Sequence, residues 1–353
     1  MNNFLSRKRV VSFVSVGIFA FSLLSTFVYN AQSARAQSVG GMMQTGLPPL
    51  GQEFDAPIYI SSDGALTVHA GGDYVDPYFA TKALLAAHAS GFNIDRVGKR
   101  WIEWLLVRQR ANGLFDRYTR VAPGVWQATA SSDADDAMLA LWIELLHTLS
   151  PNSGLPAEWR QSMRRARTRL SELRDPATGV YFISTSLRVG LLMDNCEIYG
   201  AFQNIAIHEG RFGQRVKARQ TRQEAAALGS AIEAVFWRSD LNEYSISTQD
   251  VPRDTFYPYA VGQLYPILEN IPTTQGQAAP GIAYSQWLYQ HTEAWLDTDL
   301  DLYPWGLVAL TGVAVGDDAV AVLWMGSAAP LRYSARWNVL EEAIFQGLNA
   351  QLG

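Results

Sequence analysis

From about residue 74 to the C-terminus, apolar residues recur at helical rather than strand spacing. Met138, Leu141, Trp142, Leu145, Leu146 and Leu149 fall at i, i+3, i+4, i+7, i+8 and i+11, which is one face of a helix over 135–149. Val97, Trp101, Trp104 and Leu105 mark a second such face, and Trp159, Met163, Ala166 and Leu170 a third. Periodic segments follow at 192–208, 215–237, 257–269, 281–296, 303–315, 317–326 and 336–350. About eleven helices result, with no clear run of paired strands. The pattern predicts an all-α protein.

Between the helices lies a weak repeat. Asn112-Gly113-Leu114-Phe115, Thr178-Gly179-Val180-Tyr181 and Asn242-Glu243-Tyr244-Ser245 each follow a predicted helix, about 65 residues apart. In each, a turn residue gives way to a short extended piece. One such unit per helical hairpin fits a closed (α/α)6 toroid. The common open solenoids of helix pairs repeat sooner, at about 34–47 residues.

The N-terminal part has a different pattern. Arg7, Lys8 and Arg9 precede an uncharged, mostly apolar run from Val10 to Val28, and Ala34-Arg35-Ala36 offers a small-x-small cleavage site. Residues 1–36 are therefore expected to be a signal peptide. The run is also just long enough to span a bilayer, so an uncleaved anchor is the alternative. Either way the remainder is exported, periplasmic or secreted if cut and held at the inner membrane if not. Residues 37–64, rich in Gly, Pro and Gln at their start, are expected to form a linker or wrapping arm, and 65–353 the toroid.

Without the segment's four basic residues the net charge moves from -5 to -9. An acidic chain is a poor partner for nucleic acid, and a membrane partner is expected only if the leader is retained. The single cysteine, Cys196, excludes an internal disulfide framework. The five histidines show no metal-ligand spacing, and neither a Gly-x-Ser-x-Gly elbow nor a phosphate-binding Gly loop is present. No metal or other cofactor is expected.

The densest chemistry lies at the start of the 135–149 helix, where Asp133, Asp135 and Asp136 stand together. One side chain suffices for a cap, and clustered like charges repel unless a ligand, metal or shared proton uses them. The order Ser132-Asp133-Ala134-Asp135, with Met138 and an alanine- and leucine-rich helix behind it, resembles the aspartate signature of glycoside hydrolase family 8. That resemblance implies an (α/α)6 toroid, endo-acting on β-1,4 glucans and related polymers, with Asp133 and Asp135 holding the sugar at the point of cleavage. Glycoside hydrolysis needs two carboxyl groups, set roughly 6.5–9.5 Å apart in inverting enzymes.

The resemblance also directs the search for that pair. The family's proton donor is a glutamate ahead of a tyrosine and an apolar helix; here that context reads Asp73-Tyr74-Val75-Asp76-Pro77, without a glutamate. Asp73 is the nearest substitute and Asp76 second, though Asp76-Pro77 is also a good helix cap. Asp254, opening the aromatic stretch Phe256-Tyr257-Pro258-Tyr259 as the family's base aspartate opens its helix, is the expected general base, with Arg253 keeping it ionised. An N-cap role with an Arg253 salt bridge is the plainer account of Asp254. Glu197, at i+3 from Asp194, is the reserve acid. Trp126, ahead of the Asp cluster, is the expected sugar platform, with Tyr257 beside it, whereas most other tryptophans are expected in the core.

Two functions follow as expectations. The first is an inverting endo-glycosidase on a β-linked, β-1,4-glucan-like polysaccharide. The second is a non-catalytic polysaccharide-binding or scaffold subunit of an exopolysaccharide or cellulose synthesis and export complex. The missing glutamate favours the second, and the carboxylate clusters the first.

Overall fold

The computed structural model describes residues 51–132, 134–274, 276–291, 294–297 and 300–353. Among them are eleven α-helices: α1 (Pro77–Ala89), α2 (Asp95–Leu106), α3 (Asp135–Thr148), α4 (Ala157–Leu173), α5 (Leu192–Arg211), α6 (Arg215–Phe236), α7 (Tyr265–Leu268), α8 (Pro280–Gln290), α9 (Gly306–Val315), α10 (Asp318–Ala328) and α11 (Val339–Leu352). Six form an inner ring in which α1, α3, α5, α7, α9 and α11 each pack on the next, and α11 returns to pack on α1. The helices between them, α4 against α3, α6 against α5 and α10 against α9, lie outside. This is an all-α toroid.

Burial separates the two layers. α3 and α5 are buried nearly all round, as helices packed on every side must be, with Asp194, Asn195 and Glu197 among the buried residues of α5. α4 and α6 bury a single stripe, Ser162, Ala166, Leu170 and Leu173 in the first case. Several buried tryptophans fill the space between layers and donate their indole N–H groups to nearby acceptors. Trp101 donates to Thr81 Oγ1 at 3.2 Å, Trp142 to Ser162 Oγ at 2.9 Å and Trp324 to the Pro304 carbonyl at 2.7 Å.

The repeat is a real hairpin. Gly113 (φ +90°), Gly179 (φ +85°) and Asn242 (φ +54°) all adopt the left-handed conformation at its turn. Arg174 pairs with Tyr181 across the second copy, and β4 (Trp237–Arg238) pairs with β5 (Glu243–Tyr244) across the third. A further copy precedes α1, where Ile60 pairs with Leu66 around Gly64 (φ +99°). Each hairpin hands the chain to an inner helix, so inner helices all begin at one end of the ring. We call that end the bowl and the other the closed face.

Three expectations change. The first hairpin is extended by a three-stranded antiparallel sheet, β1 (Tyr74–Val75), β2 (Asp116–Ala122) and β3 (Val125–Ser131), in order β1-β2-β3. Its tight turn, Ala122-Pro123-Gly124-Val125 with Gly124 at φ +71°, and its β-branched residues were the sequence signal. The helix expected over 257–269 is broken into a π-turn at Phe256–Ala260 and the short α7, because Tyr257 is extended (φ -104°, ψ 135°) and Pro258 and Pro266 lack the N–H groups a continuous helix needs. The arm ends well before residue 64. Phe54, Ala56 and Tyr59 are buried, and Gln346 of α11 bonds Asp55, so residues from 54 onward belong to the packed unit.

Candidate active site at the inner helix starts

Six helix N-termini meet at the bowl, and four of them carry carboxyl groups in their first turn. Asp76 caps α1, its Oδ1 accepting from Tyr78 N at 3.0 Å. Asp135 and Asp136 open α3, Asp194 lies in the first turn of α5, and Glu341 in that of α11. Glu341 also reaches a neighbour, its Oε2 accepting from Gly306 N at the start of α9 (2.9 Å). Orphan N–H groups and helix dipoles favour negative charge here, but burial opposes it.

Burial wins. It pushes Asp76 up to about 6, against the pull of the Arg117 guanidinium and the Tyr78 N–H. Asp135 is likewise raised to about 6 by burial, against Arg110 and Arg169 and with Asp116 adding to the rise. Burial takes Asp136 and Glu341 to about 7. Asp135 adds to the rise of Asp136, and the neighbouring Asp194 carboxyl opposes it. Asp76 and Asp135 differ from the others in keeping a little exposure, 5% and 7%. Among the described residues, Asp135 Oδ1 accepts no hydrogen bond.

Beneath the rim sits a locked network. Lys82 of α1 contacts Glu197 of α5, and the Tyr78 hydroxyl donates to Glu197 at 2.8 Å. Both charged side chains are wholly shut from solvent. Burial pushes the Lys82 ammonium well down, while Glu269, Asp194 and Glu144 pull it back up. Lys82 is the sole buried lysine or arginine among the described residues.

Aromatic rings line the same end. Tyr257 stacks on Trp305 with centroids 4.3 Å apart and planes 14° from parallel. Tyr303 meets Trp305 and Phe79 edge-on, and His69 lies near Tyr303. Tyr257 and Asp194 both act on the Tyr78 hydroxyl, which places this stack beside the carboxyl cluster.

The structure divides the residues singled out from the sequence. Asp76 and Tyr257 come together at the bowl, both acting on the Tyr78 hydroxyl, whereas Asp135 opens the neighbouring inner helix facing Arg110, Arg169 and Asp116, and Asp133 lies outside the described residues. Asp73 is exposed on the rim, where its carbonyl accepts from Arg120 N at 2.7 Å. Trp126 is half-buried on β3, its indole N–H committed to Asp63 at 2.7 Å and the Arg120 guanidinium 4.7 Å from its ring centre. Glu197 belongs to the locked network, beyond reach of a ligand. Asp254 is exposed and lines a separate cavity of about 560 Å³ with Trp237, Phe256, Trp287 and His291, one that includes neither Asp76 nor Asp135. Arg253 does not serve Asp254: its guanidinium is ion-paired with Glu243 and donates to the Tyr259 hydroxyl at 3.0 Å.

Sequence reasoning passed over Lys82, Tyr78 and Glu341. A lysine alone in the otherwise uncharged stretch from Pro77 to Ala87 was the available signal, since such a residue is buried only with a partner. Among the described residues no group of His, Cys, Asp and Glu is arranged to hold a metal.

No family model matches the chain, and no curated protein does. Solved structures do. A glycosidase aligns with TM-score 0.55 at 13% identity, covering 84% of this chain and 93% of its own. A rhamnosidase from Klebsiella oxytoca with rhamnose bound gives 0.52 at 15%, over 82% of this chain and 58% of its own length. The GH63 mannosylglycerate hydrolase from Thermus thermophilus, in complex with glucose, gives 0.50 at 13%, over 82% and 96%. The fold is shared with toroid glycosidases. At these identities the likeness concerns the fold alone, and the resemblance to glycoside hydrolase family 8 rests on the motif at Ser132–Met138.

Proposed function

We propose that this chain is an exported glycoside hydrolase that cleaves a β-linked, β-1,4-glucan-like polysaccharide with inversion at the bowl. The observation that carries the reading is the pair Asp76 and Asp135, two nearly buried carboxyls raised to about 6 at the starts of neighbouring inner helices. Packed helix axes lie about 8–10 Å apart. Inversion requires the two carboxyls roughly 6.5–9.5 Å apart, with room for a water between base and sugar. Asp76 is the proton donor, since burial keeps its proton near pH 6. Asp135 is the base: Arg110 and Arg169 favour its charged form, and its buried Oδ1 accepts no hydrogen bond from a described residue. The Tyr257–Trp305 stack supplies an apolar platform for a sugar ring. The basic and apolar leader supports export, and the neighbours' glycosidase activities support the reaction class.

The test is reducing-end release from glucan, xylan and chitosan oligomers, with the anomer of the product followed by NMR. Asp76→Asn and Asp135→Asn each lower turnover by roughly 10²–10⁴-fold, the usual worth of a general acid or base. Asn still caps α1, so the first variant stays folded. Full loss in Asp254→Asn with Asp135→Asn active would move the base to the side cavity and overturn this assignment. Binding of oligomers without cleavage by the wild type would leave the scaffold role in polysaccharide synthesis and export.

A further inference from the structure

We infer that the closed face of the toroid is a docking surface for an anionic lipid bilayer, holding the bowl away from the membrane. The inference stands apart from the glycosidase reading. In a chain with more acidic than basic residues, the outer helices α4 and α6 concentrate cations. Arg160 and Arg164 on α4, and Arg215, Lys217, Arg219 and Arg222 on α6, are exposed and form no ion pair with a described residue. The two stripes are contiguous, because Arg167 of α4 is ion-paired with Glu224 of α6. Spacings of three and four residues put Arg160 with Arg164, and Arg215 with Arg219 and Arg222, on single helix faces. Glu158 and the ion-paired Glu224 are the exposed acids near them, and the outer helices α2 and α10 open with Asp95 and Asp318.

Their position gives the surface its direction. All six cations lie in the first halves of their helices, and outer helices begin at the closed face, where their dipoles add positive charge. Arg211, at the end of α5, lies there too, bonded to Asn152 at 3.2 Å. Val216 stands among the cations at 76% exposure, an apolar contact of the kind a bilayer interface accepts.

The chain also enters on this side. Asn93, in the turn from α1 to α2, receives Phe54 N at its carbonyl (3.1 Å) and donates its own N–H to the Gln52 carbonyl (2.8 Å). That turn is at the closed face, so the sequence preceding residue 51 arrives there. In that sequence the apolar run ends at Val28. The 22 residues from Tyr29 to Leu50 separate that run from the first described residue. An apolar run held in the bilayer, so short a distance along the chain from a cationic face, would make two signals on one side, the combination that gives stable attachment. If the leader is cut, the cations act alone and attachment is reversible.

The chain from Gln37 on contains the whole closed ring and removes the apolar run from the measurement. Its sedimentation with vesicles of phosphatidylcholine containing about 30% phosphatidylglycerol reads the face directly. Each cation near such a surface strengthens binding roughly fivefold, so Arg160→Gln, Arg164→Gln, Arg215→Gln and Arg219→Gln together weaken it several hundredfold. Removing Arg238 and Arg336 instead, which lie elsewhere, leaves it within about twofold. A thermal melt coincident with wild type shows that the exposed changes left the fold intact. Failure to bind anionic vesicles at low salt, or equal binding to pure phosphatidylcholine, overturns the inference. Binding of an acidic polysaccharide in place of the vesicles overturns it in favour of a polymer ligand.

Discussion

Replacing Lys82 with Met keeps the length of the side chain and removes its charge. The ammonium is the sole buried lysine or arginine charge among the described residues and contacts Glu197, with Asp194, Glu144 and Glu269 acting on it. Without it Glu197 is left as an unpaired buried charge unless it takes up a proton. Removing one partner of a buried pair costs about 3–5 kcal/mol. Protonation relieves part of that cost, and a carboxyl whose folded pKa rises is stable below its unfolded value and loses stability as pH climbs through the folded one. The defect is therefore small near pH 4.5 and full near pH 8. Urea denaturation of Lys82→Met at both values measures it, and Lys82→Met combined with Glu197→Gln recovers most of the loss at pH 8. A loss of under about 1 kcal/mol at pH 8, or one that is the same at both values, would refute the picture of a charged, mutually dependent pair.

In the wild type, the raised carboxyls Asp136, Glu144 and Glu341 (each about 7) carry the same sign, so the melting temperature rises as pH falls from 8 to about 6.5, below which the buried His147 and His208, pushed down to about 4 and 3, work against it; calorimetry at fixed ionic strength reads the turn. Gly113→Ala sets a Cβ 2.7 Å from the Arg165 carbonyl at a φ of +90°, and should cost about 1–3 kcal/mol in chemical denaturation. Asn242→Gly at the matching turn, where the residue is already left-handed, leaves stability unchanged or slightly improved, by up to about 1 kcal/mol. Tyr257→Ala removes the half-buried partner of the Trp305 stack and weakens oligosaccharide binding roughly tenfold by calorimetric titration, with little effect on the melt.

The toroid was legible because each of its parts has a local cause. Inner and outer helices differ in how much of their circumference is apolar, and the turn residues Gly113, Gly179 and Asn242 mark the same position in successive hairpins. What escaped was set by contacts distant in sequence. Nothing near Glu197 says that Lys82, 115 residues earlier, locks it. Nothing near Arg253 says that Glu243 competes with Asp254 for its guanidinium. At Asp76 the local reading of a cap was correct, yet the burial that raises its pKa comes from the ring around it. Short β-pairing between Asp116 and Ser131 was overshadowed by the stronger helical periodicity on either side.

The ring is joined by α11 packing on α1, the last inner helix on the first. A chain emerging in order therefore holds an open arc, with the apolar flank of α1 uncovered, until Val339–Leu352 has been made. Loss of those 14 residues removes the closing segment of a circle, so the damage is expected to reach α1 as directly as α9. The same adjacency makes the order of elements dispensable. Joining the C-terminus to Gly51 and opening the chain at Pro123–Gly124, the exposed tip of the β2–β3 hairpin, would write the same ring from a different starting point.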